Sequence, residues 1–454
     1  MRRYLVLGLI FFLAILFLGR FSHGTMDGYQ RAEVARALLV DHTWVSPYFG
    51  PSKYGPLQPL LMVPFYAIGH SYGQIQGMDL LQIHFYGIQS CAALFMPLLV
   101  AALCVLFFRI QKDMGWDTQV SLISTTVLFL GTIFLPYSRI LFPEPLNALL
   151  ILFSFYFFMQ SLSGKFLARN RLNFICLGLL CLNNFVFEAY FGLMLIFVFA
   201  SSYAKFAEPH EARRSFVEGL GIMGLSISVY LYYNWIRYGS IWVFGYGAEG
   251  FGVPLLEGFY GLFLSSGRGL VLYSSVTVVC LFYFLFNYTN LSPKLKYCLG
   301  VFSVSFVFYV FLYSKWDAWS GGYCWGPRFL LPFLPVIHLL FPHVWQSAQK
   351  ANGVLKGLGG LMILWAVFLN AWEYVGGWNT FQNATFGDGP DAKPYWYTLF
   401  VPEYSFLLNN GEWSEILPAL GRFFLMAVLL VLALRSWARW SDKQSLAPAR
   451  GPLE

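Results

Sequence analysis

Charged residues are scarce in this chain. Asp, Glu, Lys and Arg make up 11% of its 454 residues, whereas soluble domains contain about 25%. So few charges cannot cover a water-facing surface of this size, which argues against a soluble enzyme, a disordered scaffold or a collagen-like rod. The net charge of +7 is spread along the chain without a dense basic stretch, so we expect no nucleic-acid partner.

Cysteine pairs and nucleotide motifs are also missing. The seven cysteines include no pair at metal-binding spacing, and six of them lie within or at the ends of apolar runs, as small core residues do. The chain contains neither a Gly-x-x-x-x-Gly-Lys-Ser/Thr pattern nor a His-Glu-x-x-His pattern, which argues against a soluble nucleotide site and a helical zinc site. We therefore expect no disulfide framework.

Long apolar runs dominate the sequence instead. Hydrophobic residues make up 58% of the chain, and the mean hydropathy is +0.59. The fold class we predict is all-α: a polytopic membrane helix bundle of about 12 transmembrane helices, because each apolar run of about 18 or more residues can span a bilayer. The spans are expected at residues 4–21, 83–108, 118–137, 144–162, 172–187, 188–204, 216–238, 269–288, 297–314, 328–345, 355–373 and 417–434. The proline-broken segment 56–72 is expected to lie in the interface or to re-enter.

The distribution of charge predicts the orientation. With the N-terminus in the cytoplasm, 18 of the 29 basic residues fall on the inner side, as the positive-inside rule requires. Most acids then lie outside, which indicates chemistry on the outer face. The expected integral-membrane domain is 1–434, with outer segments at 22–82 (carrying interfacial helices), 239–268, 315–327 and 374–416. Residues 435–454 are expected to form a short cytoplasmic tail, with no soluble C-terminal domain.

The first outer segment contains the first candidate residue. Asp27 follows the first span by a few residues, and residues 28–42 have the pattern of an amphipathic helix in the membrane interface. Asp27 could simply cap the backbone amides of that helix. Alternatively, it is a general base placed where a lipid-borne substrate meets a polar one.

Two later stretches place an arginine beside glycine at the outer start of a helix. They are Ser265-Ser266-Gly267-Arg268-Gly269 and the Trp- and Gly-rich stretch from Trp316 to Arg328. Backbone amides at a helix N-terminus, together with a guanidinium, form an anion site suited to a phosphate. Trp319 and Trp325 could bind substrate there, or could only anchor the loop at the interface.

Three further charged residues lie at outer helix junctions. Arg139 and Glu144 flank a short apolar stretch ending in Pro143. They could bind the acceptor or share a proton with Asp27, or they could form a structural contact with each other. Glu188 lies at the turn between the fifth and sixth spans, where an acid close to hydrocarbon is costly, and is a further candidate.

Together these stretches resemble the C-type integral-membrane glycosyltransferases, which include protein O-mannosyltransferases and aminoarabinose transferases. Asp27, Tyr29, Trp44 and the Lys53-Tyr54-Gly55-Pro56 segment are similar to the family's first outer loop, although Gly28 stands where many members have a second acid. The stretches ending in Arg268 and Arg328 resemble Ser-x-Gly-Arg-Gly and Trp-Ser-Gly-Gly-x-x-x-Gly-Pro-Arg-x-Leu-Leu-Pro signatures. The resemblance covers mainly residues 1–150 and 255–335.

The resemblance implies a transferase of the bacterial inner membrane that moves a sugar from a polyprenyl-phosphate donor to a lipid, glycan or protein acceptor at the outer face. It implies no metal, and we expect no cofactor. The expected catalytic residues are Asp27 and Glu144, the donor-phosphate ligands are Arg268, Arg328 and Lys53, and the substrate-binding residues are Arg139, Glu188, Tyr29, Trp319 and Trp325. Two alternatives are a transporter or flippase of lipid-linked glycans and a non-catalytic membrane assembly protein.

Overall fold

The structure is a computed structural model that describes residues 2–18, 21, 26–247, 249–322, 324–376 and 413–446. Within these residues the regular structure is helical, and the only extended pairing is an isolated bridge between Ser46 and Gly50. The predicted all-α class is therefore confirmed. The expected outer segment 374–416 and the end of the expected tail fall largely outside the described residues.

The described α-helices are numbered here in chain order. They are α1 (Arg2–Leu18), α2 (Met26–Arg36), α3 (Leu57–Ile75), α4 (Leu80–Asp113), α5 (Thr118–Leu130), α6 (Phe134–Tyr137), α7 (Glu144–Ser161), α8 (Phe166–Asn183), α9 (Glu188–Ala200), α10 (Pro209–Tyr238), α11 (Leu255–Phe263), α12 (Leu270–Tyr273), α13 (Ser275–Asn287), α14 (Pro293–Lys315), α15 (Leu334–His338), α16 (Phe341–Lys350), α17 (Gly353–Gly376) and α18 (Trp413–Leu446).

Five of these helices are long and apolar enough to cross a membrane, namely α4, α10, α14, α17 and α18. A sixth span results if the segment Arg328–His338 and α16, which are bent by 60° relative to each other, count as one. The predicted number of about twelve spans is not confirmed by length and composition. The helix α18 continues to Leu446, so the residues expected to begin the tail at 435 are helical.

Several expected spans are interrupted rather than continuous. Within the expected span 118–137, the first helix ends at Leu130. The expected span 269–288 is divided into two helices at Ser274. The expected span 328–345 opens with the 3₁₀ turn Arg328–Phe333, which contains Pro332. Proline lacks an N–H and so disrupts the regular helix. These breaks leave helix ends and polar side chains inside the bundle.

The segment 56–72, expected to lie in the interface or to re-enter, forms the 19-residue helix α3. This helix packs against the start of α4. Close approach requires glycine, because a Cβ at Gly69 would collide with the backbone carbonyl of Tyr86. The two helices therefore form a tight hairpin at the end of the segment 22–82.

The helix α2 differs from the expected interfacial amphipathic helix. Its Arg31, Glu33 and Arg36 side chains are all buried. Arg36 pairs with Glu33 at 2.8 Å and with Asp41 at 2.7 Å, which satisfies charges that would otherwise be costly away from water. Ion pairs thus hold the charged side of this helix, while apolar packing holds the other. Asp27 lies in its first turn.

Candidate active site

A cavity of about 430 Å³ lies among the ends of several helices, within the size range of small-molecule sites. Its polar lining comes mainly from the segment 22–82, the start of α7, the end of α8 and Arg328, and its apolar lining is largely aromatic. The lining residues are Asp27, Arg31, Lys53, Tyr54, Gly55, Glu144, Asn183, Asn184, Phe185, Val186, Tyr230, Phe244, Tyr246, Glu249, Phe251, Leu312, Tyr313, Trp316, Arg328 and Phe329.

Arg328 joins the two predicted carboxylates. Its Nη2 donates to Asp27 Oδ2 at 3.0 Å, and its Nε lies 3.4 Å from Glu144 Oε1. Only 10% of the Arg328 side chain is exposed, so the guanidinium is held largely out of water. Asp27 and Arg328 are 301 positions apart in the chain and meet at the wall of one cavity.

Aromatic rings and a glycine hold the Arg328 side chain. Its guanidinium carbon lies 4.6 Å from the Phe142 ring centre and 4.9 Å from the Phe329 ring centre, distances at which a ring face attracts a cation. Gly321 has φ of +77°, and a Cβ there would lie 3.0 Å from Arg328 Cγ. The loop can pass this close because glycine tolerates that backbone conformation and has no side chain.

Asp27 is surrounded by hydrogen-bond donors and cations. Arg328 donates to its carboxylate, and Arg31 stacks on the Tyr54 ring at 3.6 Å. Burial raises the pKa of the Asp27 carboxyl, but Arg328, Arg31 and the hydrogen bond from Tyr54 lower it by more, so this pKa lies below its ordinary value. Asp27 is therefore ionised at neutral pH.

Lys53 lies at a more exposed part of the cavity. Its Nζ lies 3.1 Å from Glu249 Oε1, and both side chains are 30% exposed. The segment that contains Glu249 is held by Asp317, whose carboxylate accepts from the Gly250 amide at 2.7 Å and from the Gly252 amide at 3.0 Å. Lys53 thus connects the segment 22–82 with the segment between α10 and α11.

Arg268, predicted as a phosphate ligand, does not line the cavity. Its guanidinium is almost fully buried, and Nη2 donates to the Gly322 carbonyl at 2.6 Å. Gly322 follows Gly321, the residue that lies against Arg328. Arg268 therefore stabilises the loop beside Arg328 through the Gly322 carbonyl, without lining the cavity itself.

Arg139 also lies outside the cavity lining. Its Nη2 lies 3.2 Å from Glu373 Oε2 in α17, and both side chains are buried. Glu144, considered from the sequence as a partner of Arg139, lies beside Arg328.

The other predicted substrate-binding residues have partners elsewhere. Glu188 accepts from Ser226 Oγ at 3.0 Å, the Tyr29 hydroxyl lies 2.9 Å from His84 Nε2, and Trp325 donates to Asn370 Oδ1 at 3.2 Å. Trp319 is buried against Gly261. None of the four is among the residues that line the cavity. Of the ten predicted site residues, the cavity contains Asp27, Glu144, Arg328 and Lys53.

Several cavity residues were not predicted. Arg31 lies one helical turn after Asp27 and Tyr54 directly follows Lys53, so helical spacing and proximity could have indicated both. Glu249 and Asn183 carry no comparable signal, because their place depends on how distant segments pack. Among the residues that the structure describes, no three His, Cys, Asp or Glu side chains group closely enough to hold a metal ion.

The sequence itself matches no family model and no curated protein. Solved structures do match. The aminoarabinose transferase ArnT from Cupriavidus metallidurans, solved with undecaprenyl phosphate, aligns over 96% of this chain and 76% of its own, at 13% identity and a TM-score of 0.54. The oligosaccharyltransferase AglB from Archaeoglobus fulgidus, solved with an inhibitory peptide and a dolichol-phosphate, aligns over 88% and 63%, at 11% identity and a TM-score of 0.51.

This chain has the C-type glycosyltransferase fold. The predicted resemblance is thereby confirmed at the level of fold. The shared fold and the five long apolar helices both support an integral membrane protein.

Proposed function

We propose that the protein is a membrane glycosyltransferase that moves a sugar from a polyprenyl-phosphate donor to an acceptor hydroxyl. The observation that carries this proposal is the contact of Arg328 with both Asp27 and Glu144 at the wall of one cavity. ArnT, which shares this fold, was solved with undecaprenyl phosphate, and AglB with a dolichol-phosphate and a peptide. Those ligands support a lipid-phosphate donor, with a lipid, glycan or protein as acceptor.

Arg328 and Lys53 are the proposed ligands of the donor phosphate. When the bond between the sugar carbon and the phosphate oxygen breaks, negative charge develops on the phosphate, and preorganised cations stabilise it. The planar guanidinium of Arg328 can donate two parallel hydrogen bonds to a phosphate. Arg268 acts indirectly in this proposal, by supporting the loop beside Arg328 through the Gly322 carbonyl.

Asp27 is the proposed general base. It takes the proton of the acceptor hydroxyl while the acceptor oxygen bonds to the sugar carbon from the side opposite the phosphate. The products are the glycosylated acceptor, polyprenyl phosphate and a protonated Asp27, which returns its proton to water. A single in-line displacement inverts the configuration at the sugar carbon.

The resting ion pair implies that the donor activates the base. While Asp27 accepts from Arg328, its pKa is lowered and it is a weak base. A phosphate that binds Arg328 competes with Asp27 for the guanidinium, and loss of this hydrogen bond raises the pKa of Asp27. In this mechanism Asp27 becomes an effective base only when the donor is bound, while Glu144 keeps Arg328 in position.

The membrane placement is also part of the proposal. The excess of acidic residues in the expected outer segments and of basic residues on the expected inner side supports a cavity on the outer face of a bacterial inner membrane. A carboxylate and a cation in one cavity, rather than charges along a path across the bilayer, favour a transferase over a flippase.

The test uses the purified full chain in detergent, supplied with polyprenyl-phosphate-linked hexoses. We expect release of polyprenyl phosphate together with glycosylation of an acceptor lipid. Asp27→Asn keeps the size of the side chain but removes the base, so turnover should fall by about 10²–10⁴-fold. The matched control is Asp113→Asn, since Asp113 lies outside the cavity lining and accepts from the Tyr156 hydroxyl.

Two results would contradict the proposal. One is full transfer by Asp27→Asn with unchanged thermal unfolding. The other is wild-type protein that moves donor lipid across a liposome bilayer without releasing polyprenyl phosphate, which would identify a flippase.

A further inference from the structure

One corner of the cavity is formed by polar side chains of α7 and α8. Glu144 and Asn147 are three residues apart in α7 and so lie on the same face of that helix. Asn183, the last residue of α8, donates from Nδ2 to Asn147 Oδ1 at 2.7 Å. The exposed fractions of Glu144, Asn147 and Asn183 are 4%, 1% and 2%. These three side chains thus form one buried group, next to Arg328.

Two oxygens in this corner lack a donor. Among the described residues, neither Glu144 Oε2 nor Asn183 Oδ1 accepts a hydrogen bond. A buried polar atom without a partner is destabilising, so such atoms are usually matched by protein, water or ligand. Glu144 and Asn183 both line the cavity, so a molecule bound there lies beside these two side chains and can supply the missing donors when they turn toward it.

The chemistry of the two atoms restricts what can occupy the corner. Both are acceptors, so they repel phosphate oxygens and attract O–H or N–H groups. The negative charge of Glu144 is already paired with Arg328, and Asn183 is neutral. The corner therefore favours a neutral hydrogen-bond donor over an ammonium group. The adjacent wall is aromatic, with the Phe185 ring centre 4.8 Å from that of Tyr230 and 5.0 Å from that of Phe244. Acceptors beside aromatic rings suit a sugar ring, whose edge carries hydroxyls and whose faces are less polar.

We propose that Asn183, together with Glu144, forms a hydrogen-bond-acceptor subsite that binds hydroxyl groups of the transferred sugar and determines which sugar is accepted. This inference rests on the proposed function, because it assigns the sugar of the same donor. The phosphate then lies at Arg328 and Lys53, and the sugar extends from it toward α7 and α8. Asn183 is a specificity-determining residue in this arrangement, with no part in proton transfer.

The experiment measures kcat/KM of the full-length protein for the best polyprenyl-phosphate hexose and for its single-deoxy analogues. In wild type, removal of the hydroxyl that meets Asn183 should lower kcat/KM by about 10- to 100-fold, because a site acceptor is left unpaired. In Asn183→Ala, kcat/KM for the best hexose donor should exceed kcat/KM for that deoxy analogue by less than about 3-fold. The reason is that the variant has no acceptor at position 183 to leave unpaired. Asn183→Asp keeps an acceptor, and Asn147 can turn its amide to donate to it, so the discrimination should be retained.

The matched control is Asn170→Ala. Asn170 is fully buried in the same helix but lies about 20 Å away, at a rise of 1.5 Å per residue, so the discrimination should be unchanged. The inference is overturned if Asn183→Ala discriminates as wild type does, if no deoxy position matters in wild type, if Asn170→Ala has the same effect, or if an amino sugar is preferred. A wild-type protein that turns over no donor would overturn the proposed function, and this inference with it.

Discussion

Arg328 contacts two carboxylates while nearly buried, which a guanidinium can do because its five N–H groups point in fixed directions. Lysine would not replace it, since an ammonium group is a point charge without this planar arrangement. In the proposed mechanism, the same property lets Arg328 exchange Asp27 for a phosphate while it stays paired with Glu144. The proposed activation of Asp27 depends on that exchange.

The pH dependence of transfer tests the surroundings of Asp27. A carboxyl with a lowered pKa stays ionised at neutral pH and is protonated only as the pH falls through that pKa. Arg31 is one of the groups that lower it, so Arg31→Gln should raise the pKa and move the acidic limb of the kcat/KM profile to higher pH. The profile is measured with purified enzyme at saturating acceptor.

The control for this variant is Arg171→Gln, which removes an exposed arginine paired with Glu218, away from the cavity lining. Its acidic limb should coincide with that of wild type. An unchanged limb in Arg31→Gln, or one moved to lower pH, would show that Asp27 is not the group that titrates.

Two of the residues that line the cavity could be singled out from local patterns in the sequence. Asp27 stands just after an apolar run, and Arg328 stands in a Trp- and Gly-rich stretch at a helix start. Arg139 shows the limit of such patterns. Its local pattern resembles that of Arg328, but its partner Glu373 is 234 positions away, and only the packing of α17 reveals a structural ion pair.

Helix ends, rather than helix faces, build the site. Glu144 begins α7, Asn183 ends α8, and Arg328 precedes α15. Hydropathy predicted apolar runs in the regions of α7 and α8, but it does not show where a buried helix stops. The breaks at Ser274 and in the Arg328–Phe333 turn were therefore missed, and with them the reason why polar residues lie within the bundle.

A substitution at Gly55 tests the contact between the segment 22–82 and the end of α8. A Cβ at Gly55 would lie 2.6 Å from the Asn183 carbonyl oxygen, and backbone atoms cannot move aside easily. Gly55→Ala should destabilise the protein by about 1–3 kcal/mol, as overpacking does. It should also lower kcat/KM, because Lys53 and Tyr54 move with the segment. Thermal unfolding in detergent and the transfer assay measure the two effects.

The matched control is Gly357→Ala in α17, where an added Cβ meets no atom within 4 Å. It should be neutral or slightly stabilising, since alanine favours helix more than glycine does. If Gly55→Ala is as stable and active as this control, the position of the segment 22–82 does not depend on its contact with α8.

Composition predicted the molecule as a whole more successfully than its details. The scarcity of charge led to an all-helical membrane protein, and the described helices and the shared fold agree. Helices such as α5 and α9 are apolar but shorter than 18 residues, so counting apolar runs did not yield a confirmed number of spans. Where helices are interrupted, the length of an apolar run in the sequence no longer shows whether it spans the membrane as one helix.

The buried pair of Arg139 and Glu373 connects distant parts of the molecule. Breaking a buried pair from one side leaves an uncompensated charge, so Arg139→Met should destabilise the protein by about 3–5 kcal/mol. The double variant Arg139→Met/Glu373→Leu removes both charges and should recover most of that loss while retaining transfer. Unfolding midpoints of the two variants check this. A substrate-binding Arg139 would instead raise KM in both variants without a change in stability.

The most direct test of the central claim is a structure of the full chain determined with polyprenyl monophosphate. Our account predicts the phosphate in the cavity, within hydrogen-bond distance of Arg328, with Asp27 no longer bonded to that guanidinium and Glu144 still beside it. A phosphate bound elsewhere, with the Arg328–Asp27 pair intact and the cavity empty of lipid, would contradict it.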